Sequence, residues 1–418
     1  MKIFKNSGKN AAVAIGRQML NKVPEVTLYF WFIKVMCTTV GETAADYLNV
    51  NLNLGLTGTS IVTGVLLAIA LFFQFRTKKY VPICYWLTVL FISVFGTLVT
   101  DNLTDRIGVP LETSTIVFSI LLAATFLVWY YYEKTLSIHS IFTKRREVFY
   151  WSAILFTFAL GTASGDLMAE GLGLGYVVTG LIIAGLIALF AIGWKLKLNH
   201  VLSFWLIYIL TRPLGASIGD FLSQPHKYGG LGLGATMTSF IFVGGILAIV
   251  AYLSITKRDV IDKESKAEIK EEIVEDQSRS GILQTGIVLA SLLIAAIIGY
   301  HVRHSAIQTP AANVQTTATT SGSMSQKNSP LGDLSSLKTI TQDTLDLLNA
   351  GNQSGATTRI GDLEYEWDNS QARLKPKSPA TWTTIDGKID TVLRELRAVH
   401  PNVGSEKSAL QALLAVIQ

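Results

Sequence analysis

The chain has 418 residues, half of them hydrophobic and only 16% charged, with a formal net charge of +5. Soluble globular chains carry about 25% charged residues, and the shortfall falls in residues 24–255, which excludes an ordinary soluble domain for that stretch. The positive balance is spread over loops between apolar runs, which excludes a nucleic-acid-binding face. Both cysteines, Cys37 and Cys84, sit in apolar runs as small hydrophobes, and no Cys/His cluster suggests zinc.

Residues 1–23 are polar and basic, with Lys2, Lys5, Lys9, Arg17 and Lys22 and no short apolar core followed by a cleavage site. This predicts a cytoplasmic tail rather than a secretory signal. Nine apolar runs follow, at 25–47, 55–75, 81–101, 113–132, 148–168, 174–194, 199–221, 233–255 and 282–300. Each suffices to span a bilayer, which takes roughly 20 residues, and each should be helical because lipid offers the backbone no hydrogen-bond partner.

Orientation follows from Lys and Arg in the short loops. One set of loops carries Arg76, Lys78 and Lys79, then Lys134, Lys144, Arg145 and Arg146, then Lys195 and Lys197, then Lys257 and Arg258. The alternate set, Tyr47–Leu54, Asn102–Glu112, Leu167–Leu174 and Leu222–Leu231, holds only Arg106 and Lys227. The N-terminus is therefore expected in the cytoplasm and the C-terminus outside.

Four of the spans start at an aromatic pair: Phe30-Trp31, Tyr85-Trp86, Tyr150-Trp151 and Phe204-Trp205. Ten residues after each Trp stands Gly41, Gly96, Gly161 or Gly215, and five residues later Asp46, Asp101, Asp166 or Asp220. Each such unit holds two spans, so all four run in the same direction, as a parallel repeat. The units cover 24–79, 80–146, 147–197 and 198–256. The fold class is an all-α membrane protein of four tandem two-helix repeats, followed by a ninth span and a small helical bundle.

Within the repeat, the four Trp are expected as anchors in the interfacial aromatic belt. The four Gly let neighbouring helices approach closely in lipid. Fifteen residues of helix carry each Asp about 22 Å beyond its Trp, into the outer third of the hydrocarbon. Two readings of the Asp stand side by side: a shared cation or proton site, with Glu42 as a fifth carboxylate, or a cap for the following turn. Lys34 and Arg212 are charges placed inside spans, where a charge faces the protein and pairs; Glu42 or Asp46 is the expected partner. Pro213 frees helix carbonyls that line a pathway or kink the span. His226 in the fourth outer loop reads as a loop residue, and His301 and His304 as interface residues, since two His close no metal sphere.

These motifs, with Gly41-Glu-Thr-Ala-Ala-Asp46 in the first repeat and Arg212-Pro-Leu-Gly-Ala-Ser-Ile-Gly-Asp-Phe-Leu222 in the fourth, resemble a bacterial membrane family built from a repeat of unknown function. The resemblance covers about residues 24–256. It implies four tandem units of two spans, each with a Trp, in a bacterial inner membrane. It implies no activity.

Beyond the repeats lie a charged linker (257–280), the ninth span (281–301), a Thr/Ser/Ala/Gln-rich linker (302–330) and a helical domain (331–418). Apolar spacing predicts helices at Leu334–Ala350, Thr357–Lys375, Ala380–His400 and Ser405–Ile417, enough for a four-helix bundle. The expected function is transport of a small cation, coupled to protons. Clustered intramembrane carboxylates suit it because desolvation favours the protonated form until a cation joins it. The alternative is a membrane-anchored sensor or scaffold acting through the outer bundle and a protein partner. An enzyme is not expected, and no cofactor is implied; the identity of any metal stays open.

Overall fold

The computed structural model describes residues 21–52, 54–226, 229–259, 279–308, 329–398 and 401–417. The repeats form eight helices: α1 (Leu28–Asp46), α2 (Gly55–Arg76), α3 (Pro82–Asp101), α4 (Leu111–Glu133), α5 (Lys144–Asp166), α6 (Gly175–Lys195), α7 (His200–Ser223) and α8 (Gly234–Thr256). The odd-numbered helices start where their sequence caps them. Thr27, Thr143 and Asn199 accept from Phe30, Arg146 and Leu202 amides, and Pro82 opens α3.

The odd-numbered helices close into a ring in the order α1, α3, α5, α7 and back to α1. Each even-numbered helix leans on the first helix of the next repeat: α2 on α3, α4 on α5, α6 on α7, and α8 on α1. The repeat glycines set the joints. A Cβ on Gly96 would stand 2.7 Å from Phe158 Cβ, and one on Gly161 2.5 Å from Arg212 Cβ. Added to Gly41 or Gly215, it would run into the hydroxyl of Ser93 or Thr38. Ser93, Phe158, Arg212 and Thr38 each stand seven residues after their Trp. One Gly-against-neighbour contact is thus repeated four times, the last returning to the first repeat.

Eight helices among the described residues are long and apolar enough to cross a membrane. The most apolar windows of the outer helices are 17–22% buried, and those of α3, α5 and α7 61–78%. The outer set therefore faces lipid. Helix α1 is less apolar, because it carries Lys34 and Glu42, but its place in the ring makes it a span too. The chain is a multi-pass membrane protein.

The tryptophans do not anchor the interface as expected. Trp86, Trp151 and Trp205 are buried and Trp31 is partly buried, all within the main core. They head the inner helices, whose surroundings are protein, so they fill the ring instead of meeting lipid. Trp205 Nε1 donates to Leu136 O at 3.0 Å, and the hydroxyls of Tyr85 and Tyr150 meet at 2.5 Å. Lys22, expected in a free tail, is also buried. Its Nζ donates to Glu147 Oε2 at 2.6 Å and to Phe75 O at 3.4 Å, closing the basic-loop end of the ring. The rest of the expected tail, 1–20, lies outside the described residues.

Helix α9 (Arg279–Gln308) extends beyond the expected 281–301. Arg303 holds it to the third repeat, its Nε donating to Leu172 O at 2.7 Å. Most of both expected linkers, 260–278 and 309–328, lies outside the described residues. The C-terminal domain is the expected bundle: α10 (Ser335–Asn349), α11 (Gln353–Leu374), α12 (Pro379–Leu396) and α13 (Val403–Leu414). Helix α11 starts earlier than its apolar pattern because Asn352 caps it, accepting from Gly355 N at 2.9 Å. The bundle has its own core, centred on Trp367 and Trp382 stacked at 3.6 Å between centroids.

Candidate functional site

Counting from each repeat's Trp, positions 7, 11, 15 and 19 lie four residues apart, so they follow one face of their helix. Position 7 is Thr38, Ser93, Phe158 and Arg212; position 11 is Glu42, Thr97, Thr162 and Ala216. Position 15 is the four Asp. On the ring axis these positions meet.

Arg212 is the hub. It is fully buried. Its Nη2 donates to Glu42 Oε2 at 2.6 Å and also to Thr97 Oγ1, its Nε to Thr162 Oγ1 at 3.1 Å, and its Nη1 to Thr38 O at 3.2 Å. One guanidinium from the fourth repeat thereby ties together helices of the other three. Position 11 supplies three of its acceptors, and Ala216 fills that position in Arg212's own helix. The expected partner Glu42 is found. Helix α7 runs through Pro213, and Gly161 and Gly165 face its ring.

Lys34 departs from expectation. No carboxylate pairs with it among the described residues. Its Nζ lies 3.7 Å from the centroid of Phe158 and 4.1 Å from that of Tyr208. Arg212 has already taken Glu42, and two aromatic faces enclose the buried amino group instead.

Asp46, Asp101 and Asp166 each end an α-helix and begin a π-helical turn, Tyr47–Asn51, Asn102–Arg106 and Leu167–Gly171. The turns close by the same bond three times: Leu52 N to Tyr47 O at 3.0 Å, Ile107 N to Asn102 O at 3.1 Å, and Leu172 N to Leu167 O at 2.8 Å. Their amides are spent on carbonyls. Among the described residues no hydrogen bond reaches the carboxylate of Asp46, Asp101, Asp166 or Asp220, so none of the four caps its own turn. The longer fourth loop replaces the π turn by a continuation of α7 to Ser223. His226 stays in this loop, its Nδ1 3.0 Å from Gly230 O.

The carboxylates face each other rather than the perimeter. Asp101 lies in the field of Asp105, Glu42 and Asp46; Asp166 in that of Glu170, Glu42 and Asp101; Asp220 in that of Glu42, Asp46 and Glu170. Arg212 acts on all four as the opposite charge. Asp46 is exposed and the other three half-buried, so they line an acidic chamber at the end of the ring above the Arg212–Glu42 floor. Asp105 and Glu170 were missed in the sequence, although both stand at position 19, one helical step beyond the Asp. Also missed were four threonines. Thr59, Thr115, Thr179 and Thr238, each the fifth residue of its outer helix, have a buried hydroxyl without a hydrogen-bond partner among the described residues. Ser60, beside Thr59, accepts from Asn102 at 2.9 Å, which places this hydroxyl row at the level of the Asp. No group of three His, Cys, Asp or Glu among the described residues is close enough to hold a metal ion.

The bundle sits on the mouth of this chamber. Helix α11 meets the turn after Asp166, and α12 meets the turns after Asp46 and Asp101. A Cβ on Gly108 would lie 2.7 Å from Thr383 Oγ1. Arg397, held by Glu364 through Nη1–Oε1 at 3.0 Å and Nη2–Oε2 at 2.5 Å, acts on Asp46.

Burial, with Asp390 and Glu170 as like charges against Lys375 and the Trp367 indole, pushes Asp386 up to about 7. Burial, with Asp105 and Glu364 against Arg394, does the same to Asp390, also to about 7. A freed carboxyl titrates near 3.9. The seated bundle thus keeps protons that the lifted one gives up, and its seat weakens as pH rises from about 4 to about 7 and levels off above. Hydrogen exchange at amides 102–106, corrected for intrinsic rate, should therefore quicken between pH 5.5 and 7.5. Slower exchange at the higher pH would contradict this assignment.

A model of a Repeat of Unknown Function (DUF347) matches the chain four times, at residues 29–80, 84–135, 149–197 and 203–259. Neither a curated protein nor a solved structure matches the chain.

Proposed function

The chain belongs to the family of the Repeat of Unknown Function (DUF347), and from that premise we propose that it transports a small cation across the membrane in exchange for protons. One observation carries this reading. Asp46, Asp101, Asp166 and Asp220 stand at the end of the same helix of each repeat, Asp101, Asp166 and Asp220 lie in the field of neighbouring Asp and Glu, and no hydrogen bond among the described residues satisfies the four carboxylates, which supports an exchangeable positive partner. Charges at membrane depth are costly, so such groups mark ion and proton pathways. Glu42 belongs to the same chamber but is neutralised by Arg212, which leaves the Asp as the exchangeable sites.

The chamber's other end is filled by the aromatic layer of Phe30, Tyr85, Tyr150 and Phe204 and by the Lys22–Glu147 pair. Transport therefore requires the ring to open on that side. Lys34, a buried amino group behind the floor, is the residue we assign to proton exchange there. Family membership supports a bacterial inner membrane, and loop charges support an orientation with the basic loops and the N-terminus in the cytoplasm and the bundle outside. The reading asks for no catalytic chemistry and no cofactor.

The test is cation uptake by proteoliposomes carrying a pH-sensitive dye, run across alkali and divalent metals and small amines. Wild type should move protons against at least one of them. Asp46→Asn, Asp101→Asn, Asp166→Asn and Asp220→Asn combined should lower that flux at least about tenfold while the protein still inserts. Unchanged flux in this variant would end the transport reading.

The separate core of the bundle favours a second reading, a membrane-anchored sensor with a protein partner. There, deleting residues 309–418 abolishes the phenotype and the four Asp changes leave it intact.

A further inference from the structure

We propose that the C-terminal bundle is a tethered lid on the acidic chamber, latched by Lys375 and Arg397, and that cations pass only when it lifts. The inference rests on the transport reading for its consequence, but its geometry stands on separate observations.

The seat joins two acidic faces. Glu364, Asp368, Asp386 and Asp390 come from the bundle; Asp46, Asp105, Glu170 and Asp220 come from the ring. Asp368 lies in the field of both Glu170 and Asp220, and Asp390 in that of Asp105. Like charges brought together across an interface cost several kcal/mol. A seat meant to be permanent would pack apolar side chains there. What opposes the repulsion is a pair of bundle cations placed over different repeats. Lys375 acts on Asp105, Glu170 and Asp386, under the second and third repeats. Arg397 acts on Asp46, under the first. Both are bundle cations whose charge reaches the ring carboxylates, as an attraction that opposes the repulsion. The remaining contacts are small: Thr383 at Gly108, and Arg394 3.6 Å from a Cβ on Gly55. A lid held by few contacts and two ions, over repelling faces, is made to open. Its core is its own, so lifting exposes little of it.

Position 108 offers a direct probe. A Cβ there would be 3.5 Å from Thr383 Cβ, within the range of disulfides. In the full-length protein carrying Gly108→Cys and Thr383→Cys, mild oxidation should link the pair. Adding Lys375→Glu should slow linking at least about tenfold, because attraction to Asp105 and Glu170 becomes repulsion. Adding Glu170→Lys to that variant should bring the rate back. Because Gly108 has a positive φ of 81°, strained for Cys, exchange at amides 102–106 is followed also in the protein without the two Cys substitutions. Lys375→Glu should quicken it and the charge swap should restore it.

A pair that does not link, a Lys375→Glu rate equal to the parent's, or a swap that restores nothing would overturn the lid. So would linked protein that takes up cations as fast as the reduced form. A lid that obeys the swap in a protein that moves no cation in any form would support the latch and remove the transport reading instead.

Discussion

Arg212→Met lowers the stability of the ring by about 3–5 kcal/mol, the cost of leaving one member of a buried ion pair without the other. The substituted side chain is close in length and fills the same space, so the loss is electrostatic rather than a cavity. Glu42 would keep its charge beside two threonine hydroxyls that had accepted from the guanidinium, and Thr38 O would lose its donor. Glu42→Gln combined with Arg212→Met should recover most of the loss, because neither side then carries a bare charge. Thermal unfolding of detergent-purified protein, followed by size-exclusion, reads this directly. A single variant as stable as wild type, or a double variant no better than the single, would show that the hub does not hold the repeats together. Arg212→Lys should fail too, since an ammonium cannot reach four acceptors in three helices as a planar guanidinium does.

Gly215→Ala is expected to cost a further several kcal/mol, at or above the usual 1–3 kcal/mol of overpacking. The added methyl meets Thr38 Oγ1 and Thr38 Cβ, and stands 2.9 Å from the backbone N of Thr39. Side chains can turn away, but a helix backbone cannot. This joint is the one that returns the fourth repeat to the first, so a wedge here opens the ring. Gly185 is the control: nothing lies within 4 Å of its Cβ position, and Gly185→Ala should be neutral or stabilising. Thr38→Gly with Gly215→Ala moves the bulk to the other helix and should restore part of the loss. Equal behaviour of Gly185→Ala and Gly215→Ala would mean that the glycines do not set the joint.

Much of this was legible from residue spacing. The aromatic–Trp heads, the Gly ten residues on and the Asp five beyond recur in every repeat, and the helices lie where the apolar runs predicted. The bundle was legible for the same reason. Asp105 and Glu170 were within reach, since they continue the four-residue step past Asp101 and Asp166, but the other two repeats have Val50 and Gln224 there, and the pattern breaks. The tryptophans misled because a Trp at a span's end suits either lipid or a neighbouring helix, and only the neighbours distinguish the two.

By itself the sequence determined what repeats, how long each helix is, and which residues share a helix face, because all of these depend on spacing within about one helical turn. Tertiary structure alone decided that the ring closes on itself, that Arg212 rather than Lys34 takes Glu42, that the Asp carboxylates lie in the field of neighbouring carboxylates instead of capping their turns, and that the bundle covers their end of the ring. Those outcomes join residues as far apart as Thr38 and Arg212, separated by 174 positions. They are set by which helix lies beside which and at what rotation, and periodicity along one helix says nothing about either.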